Sequence, residues 1–223
     1  VRNFTILILT AFCAASCVGA PAGTRDDTEV VRPAPASAPL ASPASPSAAA
    51  DECIGDLASA NIVFVVLPDQ DFGRGCSAKN AVKLINVGTQ VSNLGPMTCT
   101  LAREFAAWST YAARPAARKY FRAEIVRIET FGTYSCRAIS GRSASRMSQH
   151  AYANAIDISG FVLSDGRRIM VDGGWNGDMP SQHFFRALHK SACRRFGTTL
   201  GPDYNRAHHD HLHFDMSGNG YCR

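Results

Sequence analysis

The sequence predicts an α+β domain. Two stretches carry apolar residues at helical spacing, and around them lie short alternating apolar runs separated by turn residues. These strands read as hairpin-type antiparallel neighbours mixed with helices, not as regular strand–helix repeats. No internal repeat interrupts the chain, and the part that can fold has about the length of one domain.

The N-terminal region lies outside that domain. Arg2 precedes an apolar run from Phe4 to Ala20, which is short for a membrane span of about 20 residues. A positive start, an apolar stretch and small residues after it read as a secretory signal. Val1 fits translation from an alternative start codon. The end of the run, A-A-S-C, resembles a lipobox in which Cys17 is acylated, although Leu usually stands where Ala14 does. Ordinary cleavage after Ala22 is the alternative; cleavage after Ala20 would put Pro21 next, which signal peptidases disfavour. Residues 1–17 are therefore assigned to a lipoprotein-type signal. Residues 18–50 are rich in Pro, Ala and Ser and cannot bury enough apolar surface to fold. Proline keeps such a linker extended, so it serves as a tether.

The domain is assigned to residues 51–223. Leu101 to Phe121 has Leu101, Phe105, Trp108, Tyr111 and Ala112 at helical spacing, which places these aromatics in the core, and Pro115 ends or kinks the helix. Glu124 to Thr130 alternates and reads as a strand leading to Tyr134–Arg137. Ile156 to Leu163, a turn S-D-G-R, and Arg168 to Val171 form a hairpin. Ser181 to Phe196 is an amphipathic helix with Phe184, Phe185, Leu188 and Cys193 inward, while His183 and His189 lie on or near it in structural or exposed positions.

Eight cysteines are present. With Cys13 and Cys17 in the signal region, Cys53, Cys76, Cys99, Cys136, Cys193 and Cys222 remain. An even set in an exported domain implies three disulfides, with 15 pairings open. None of the spacings is Cys-x2-Cys, which argues against a thiolate zinc site. A bridge at Cys136 would stiffen the strand that presents Arg137.

Two motifs carry the chemistry. The first, S-Q-H-A-Y-A-N-A-I-D-I-S, sets His150 seven residues before Asp157. The second, H-H-D-H-L-H-F-D, holds four of the chain's seven histidines. A lone His–Asp spacing is common, and a His block alone can be a solvated loop. Together they match a hydrolytic zinc, which needs three ligands from His and Asp/Glu, an open position for water and a nearby base. His150, Asp157 and one histidine of the second motif supply the ligands, and Asp210 the base. On a strand, His211 and His213 share one face, and Leu212 and Phe214 the other. A set of His209, His211 and His213 would stretch over roughly 13 Å, awkward for bonds of about 2 Å. Asp210 belongs at the strand's entrance, where alternation does not yet bind it. Periodicity leaves the choice between His211 and His213 open.

His-x6-Asp followed by Asp-His-x-His resembles the zinc peptidases grouped with D-Ala-D-Ala carboxypeptidases, lysostaphin-type endopeptidases and the hedgehog signalling domain. The resemblance implies zinc on His150, Asp157 and His213, Asp210 as general base, and His211 assisting beside it. It implies an antiparallel sheet carrying the site, flanked by helices. Arg137, in T-Y-S-C-R, looks like the arginine that binds the substrate carbonyl or carboxylate; Ser148, which opens the first motif, is assigned with it to substrate binding. More closely, residues 51–223 resemble the bacterial extensin-like C-terminal domain family through Y-S-C-R, H-A-Y-A-N-A-I-D-I, L-G-P-D-Y-N and H-D-H-L-H-F-D. Many carboxypeptidases of the wider group have Gly four residues after the first His, where this chain has Asn154; that difference touches substrate fit more than metal binding.

The net charge of +5 suits an acidic polymer. There is no basic run interleaved with aromatics, which argues against nucleic acid as a partner. The expectation is an exported, periplasmic zinc peptidase, lipid-anchored to a membrane, acting on D-amino-acid-containing peptide bonds of peptidoglycan as carboxypeptidase or endopeptidase. The alternatives are a non-catalytic wall-binding module with the same fold and a zinc-scavenging protein. Asp210 and Arg137 favour the peptidase, since binding alone requires neither.

Overall fold

The computed structural model describes residues 48–139, 146–218 and 220–223. The signal segment with Cys17, and the linker as far as residue 47, lie outside the described residues. Helix α1 (Ala48–Ser59) begins inside the stretch assigned to the linker, because Cys53 and Leu57 on its inner face are buried. Among the described residues no helix is long and apolar enough to cross a membrane.

The sheet that carries the site runs in the order β12-β10-β11-β8-β7-β5, with β9 also paired to β8. Its members are β5 (Gln90–Val91), β7 (Ile125–Gly132), β8 (Ala155–Leu163), β9 (Arg168–Met170), β10 (Thr198–Leu200), β11 (Leu212–Asp215) and β12 (Tyr221–Cys222). The expected antiparallel sheet is mixed: β5 runs parallel to β7, and β12 parallel to β10, while the centre is antiparallel. Each of these edge strands is separated from its pairing partner by a long stretch of chain, and only a tight hairpin forces antiparallel pairing. β8 and β9 form the expected hairpin. A smaller sheet orders β1 (Val63–Val66), β4 (Ala81–Asn86) and β6 (Met97–Thr98), and β2 (Gln70–Gly73) pairs with β3 (Cys76–Ala78).

Alternation sends Ile156, Ile158, Leu212 and Phe214 to one face of the large sheet, where helices cover them. Trp108 meets Phe214 edge-on at 5.0 Å, Phe184 meets Phe161 at 5.1 Å, and Phe196 stacks on Phe214 at 4.8 Å. The opposite face is left for the polar side chains of the same strands.

The helix read from Leu101 to Phe121 is continuous but not uniform. α2 (Cys99–Trp108) passes into a π turn (Ser109–Ala113) and then α3 (Arg114–Phe121), with Pro115 in its first turn. Proline lacks the N–H that an interior position would donate. The wider turn accommodates it and adds a residue to the repeat. The inward position after Trp108 therefore becomes Ala113, fully buried, while Tyr111, expected in the core, is 76% exposed. After a short helical segment α4 (Val171–Gly174), helix α5 (Met179–Ala192) starts earlier than expected, because Asp178 accepts the N–H of Ser181 at 2.8 Å and Pro180 suits a first turn. Phe184, Phe185 and Leu188 are buried as expected; Cys193 is half-buried at the helix end.

The six cysteines of the domain form three disulfides: Cys53–Cys99, Cys76–Cys136 and Cys193–Cys222. Cys136 does not lie on a strand. β7 stops at Gly132, whose φ of +113° and adjacent β-bulge turn the chain off the sheet. Tyr134–Arg137 is consequently an irregular arm, and the Cys76–Cys136 bridge stiffens that arm instead of a strand.

Candidate metal centre

Strand register settles the first two members of the site. In the antiparallel pair β8–β11, Asp157 stands directly opposite His213. Their apolar neighbours point into the core, so both side chains face the other way. His150 arrives from a 3-10 turn, Gln149–Tyr152, capped by Ser148, whose Oγ accepts the His150 N–H at 3.3 Å. Asn154 anchors the exit of this turn, donating to Gln149 Oε1 at 2.8 Å and accepting from Thr98 Oγ1 at 2.9 Å. All three site residues are buried.

Their hydrogen bonds dictate which atoms face one another. His150 Nδ1 lies 3.2 Å from the carbonyl of Thr133. A carbonyl only accepts, so Nδ1 carries the proton and Nε2 offers a lone pair. His213 Nε2 lies 2.9 Å from Asp215, whose other oxygen accepts from the Ser217 N–H and O–H. Nε2 of His213 is thus the donor, and Nδ1 turns inward. His150 Nε2, His213 Nδ1 and the two Asp157 oxygens converge, with separations of 3.3, 3.1 and 2.8 Å. A tetrahedral ion with bonds of about 2.0–2.1 Å needs ligand atoms about 3.3 Å apart. One cation suits all three donors, and the outer partners on both imidazoles are those that metal-bound histidines use. His213, not His211, belongs to the convergent group among the described residues.

Electrostatics match this reading. Burial pushes the Asp157 carboxyl up, but the His150 and His213 rings against it outweigh that and hold the group below the ordinary carboxylate range. Burial pushes His213 down, yet Asp157 and Asp215 raise it to about 9. Without a metal, a proton on Nδ1 occupies the position that a cation would take. A second His–Cys–Cys grouping, His189 with Cys193 and Cys222, has its two sulfurs joined in a disulfide and presents no thiolate.

The cluster lies on a wall shared by two cavities. The smaller, about 340 Å³, is bounded by Phe131, Tyr134, Arg137, Asp210 and His211; the larger, about 620 Å³, by Arg137, Arg146, Tyr204, His208, His213 and Tyr221. Asp210 sits just before β11 and is partly exposed. His211 is buried between the carboxylates, with Nδ1 2.8 Å from Asp210 and Nε2 3.6 Å from Asp157. Arg137 is exposed and lines both cavities. Ser148 lines the larger one besides capping the turn.

The model of the family described as the extensin-like protein C-terminus matches residues 51–223. The chain belongs to this family. Neither the curated proteins nor the solved structures include a match to it.

In this extensin-like domain, several contributors to the site escaped the sequence reading. The Thr133 carbonyl orients His150, and every residue carries a carbonyl, so no residue type marks it. Asp215 and Ser217 orient His213; the signal was present, since Asp215 closes the second motif on the same strand face as His213. His208, with Nδ1 2.8 Å from Asn205 Oδ1, sets its ring 5.1 Å from that of His211, tilted against it. Burial and the neighbouring imidazoles hold it down to about 4. The loop carrying His208 and Asp210 is pinned to α5 at Asp203, which accepts from Trp175 Nε1 at 2.8 Å and pairs with Arg186, itself stacked on Trp175.

Proposed function

We propose that this domain is a zinc peptidase of the bacterial envelope that hydrolyses D-amino-acid-containing peptide bonds of peptidoglycan. The observation that carries the reading is the convergence of two imidazole lone pairs and a buried carboxylate on one point beside Asp210, a partly exposed acid held by His211, and Arg137, an arginine without an ion-pair partner among the described residues. A mere buried ion pair would need neither the second imidazole nor the open cavities. The hedgehog- and D-Ala-D-Ala-peptidase-like arrangement is part of this proposal, as are export and a lipid anchor at Cys17. Peptidoglycan fits a basic, disulfide-bonded domain better than a neutral polymer does, because its peptides carry free carboxylates.

His150 Nε2, Asp157 and His213 Nδ1 would hold zinc, which supplies Lewis acidity toward the scissile carbonyl and a water that ionises near neutral pH. The protein's own residues do the rest. The Asp210 carboxylate accepts the proton of the attacking water and passes it to the leaving amine. His211 holds Asp210 in place through its Nδ1–H. The Arg137 guanidinium stabilises the charge that develops on the carbonyl oxygen or anchors a substrate carboxylate.

The test is incubation of the zinc-loaded chain with purified muropeptides and mass analysis of the products. Asp210→Asn keeps size and hydrogen bonding and is no ligand, so zinc stays bound while hydrolysis falls by roughly 10²–10⁴-fold. Equal cleavage by wild type and Asp210→Asn sinks the mechanism. Binding of sacculi by both, with cleavage by neither, transfers the reading to a wall-binding module.

A further inference from the structure

The arm that carries Arg137 is tied to the segment before His150 by one isolated antiparallel bridge. Ala138 and Met147 form an antiparallel bridge, flanked by hydrogen bonds from the Ser148 N–H to the Arg137 carbonyl and from the Ile139 N–H to the Arg146 carbonyl, each 3.0 Å. In such a pair Arg137 stands opposite Ser148, and Arg146 opposite Ile139. Side chains alternate along such a pair, so these four share one face, the face opposite to that of Ala138 and Met147. All four line the larger cavity, as does Met147 between them. Arg137 and Arg146 are diagonal neighbours there, roughly 7–8 Å apart at their backbones.

Two like charges on one exposed face repel each other weakly through solvent and favour an anion beside them. Seven other arginines, Arg103, Arg118, Arg127, Arg167, Arg168, Arg186 and Arg195, each pair with a carboxylate. Among the described residues neither Arg137 nor Arg146 has a hydrogen-bond or ion-pair partner for its guanidinium. The carboxylates of the same cavity are committed elsewhere: Asp157 to His150 and His213, and Asp215 to His213 and Ser217. The uncommitted charge of the cavity is therefore positive and doubled.

We propose that the larger cavity is a subsite for a dicarboxylate peptide, in which Arg146 is a specificity-determining residue that reads a second free carboxylate beyond the group held by Arg137. The spacing of the two arginines matches that of residues i and i+2 in an extended peptide, roughly 6.5–7 Å. The inference rests on the peptidase reading for the place of the scissile bond, but its own content is recognition, and recognition can be measured without hydrolysis.

The probe is the peptide L-Ala-γ-D-Glu-L-Lys-D-Ala, with free carboxylates on D-Glu and on the terminal D-Ala, and its form amidated at D-Glu. Binding of each to the full-length chain is measured by calorimetry before and after zinc loading. A charge-assisted hydrogen bond at an exposed guanidinium implies that amidation weakens binding by about 5–30-fold at low salt, and less at high salt. Arg146→Gln should weaken binding of the acid form by the same factor and leave the amide unchanged, while Arg146→Lys retains part of the preference. Equal affinity of the wild type for both forms, no binding of either, or full preference in Arg146→Gln overturns the subsite. Preferential binding without cleavage by the zinc-loaded chain leaves the subsite standing and refutes the peptidase reading; cleavage without preference does the reverse.

Discussion

Asp215 determines which nitrogen of His213 faces the cluster. It takes the Nε2 proton, and Ser217 fixes the carboxylate from behind with two short hydrogen bonds. Removing such an outer partner typically lowers metal affinity 10–100-fold without removing a ligand. Asp215→Ala should therefore bind zinc that much more weakly, with an unchanged far-UV spectrum, when titrated against a chromophoric chelator. His150→Ala, Asp157→Ala or His213→Ala should lose far more, since each removes one of three anchors. Unaltered affinity in Asp215→Ala would show that His213 keeps its orientation without help. At this scale the sequence was legible where chemistry depends on residue type. His150, Asp157 and a histidine of the second motif could be read; the choice between His211 and His213, and the Thr133 carbonyl, could not. The choice itself needed register, because both histidines point the same way and only His213 stands across from Asp157.

Elements were legible where their periodicity was long and undisturbed. The β8–β9 hairpin and the inner face of α5 follow directly from spacing. The strands β1 to β6 are short, and β1 exposes Val63, Val65 and Val66, so burial gives no alternating pattern to read. The π turn misled the reading for a different reason: one extra residue per turn rotates everything beyond it. That displacement is directly measurable. Tyr111→Ser should alter unfolding free energy by less than about 0.5 kcal/mol, as for other surface positions. Trp108→Ala, which empties a site packed against Phe105, Phe161 and Phe214, should cost about 3–5 kcal/mol. A large loss in Tyr111→Ser, in a urea titration, would mean that the helix keeps an ordinary repeat through Pro115. The same lesson applies to Gly132, where a bulge ends β7 and sends the chain into the Arg137 arm that spacing had drawn as a strand.

For the molecule as a whole, the cysteine count announced three bridges, but only the fold could choose among the pairings. The choice separates two jobs. Cys53–Cys99 ties α1 to the start of α2 on the helical side of the domain, whereas Cys76–Cys136 ties β3 to the arm next to Arg137. The loops they close span 46 and 60 residues, and loop-closure entropy gives each about 4 kcal/mol of stabilisation, an upper figure for real bridges. Replacing either pair by serine should thus lower stability by a similar amount, about 2–4 kcal/mol. Function should distinguish them. The donors His150, Asp157 and His213 are held by strand register and by a capped turn, not by the bridge, so both double variants should retain zinc. With Cys76 and Cys136 replaced, the Arg137 arm loses its covalent anchor, and muropeptide hydrolysis should fall toward that of Arg137→Ala. With Cys53 and Cys99 replaced, the folded fraction should cleave as the wild type does. Equal rates in the two double variants, measured below their unfolding transitions, would uncouple the Cys76–Cys136 bridge from the site and leave it a purely stabilising staple.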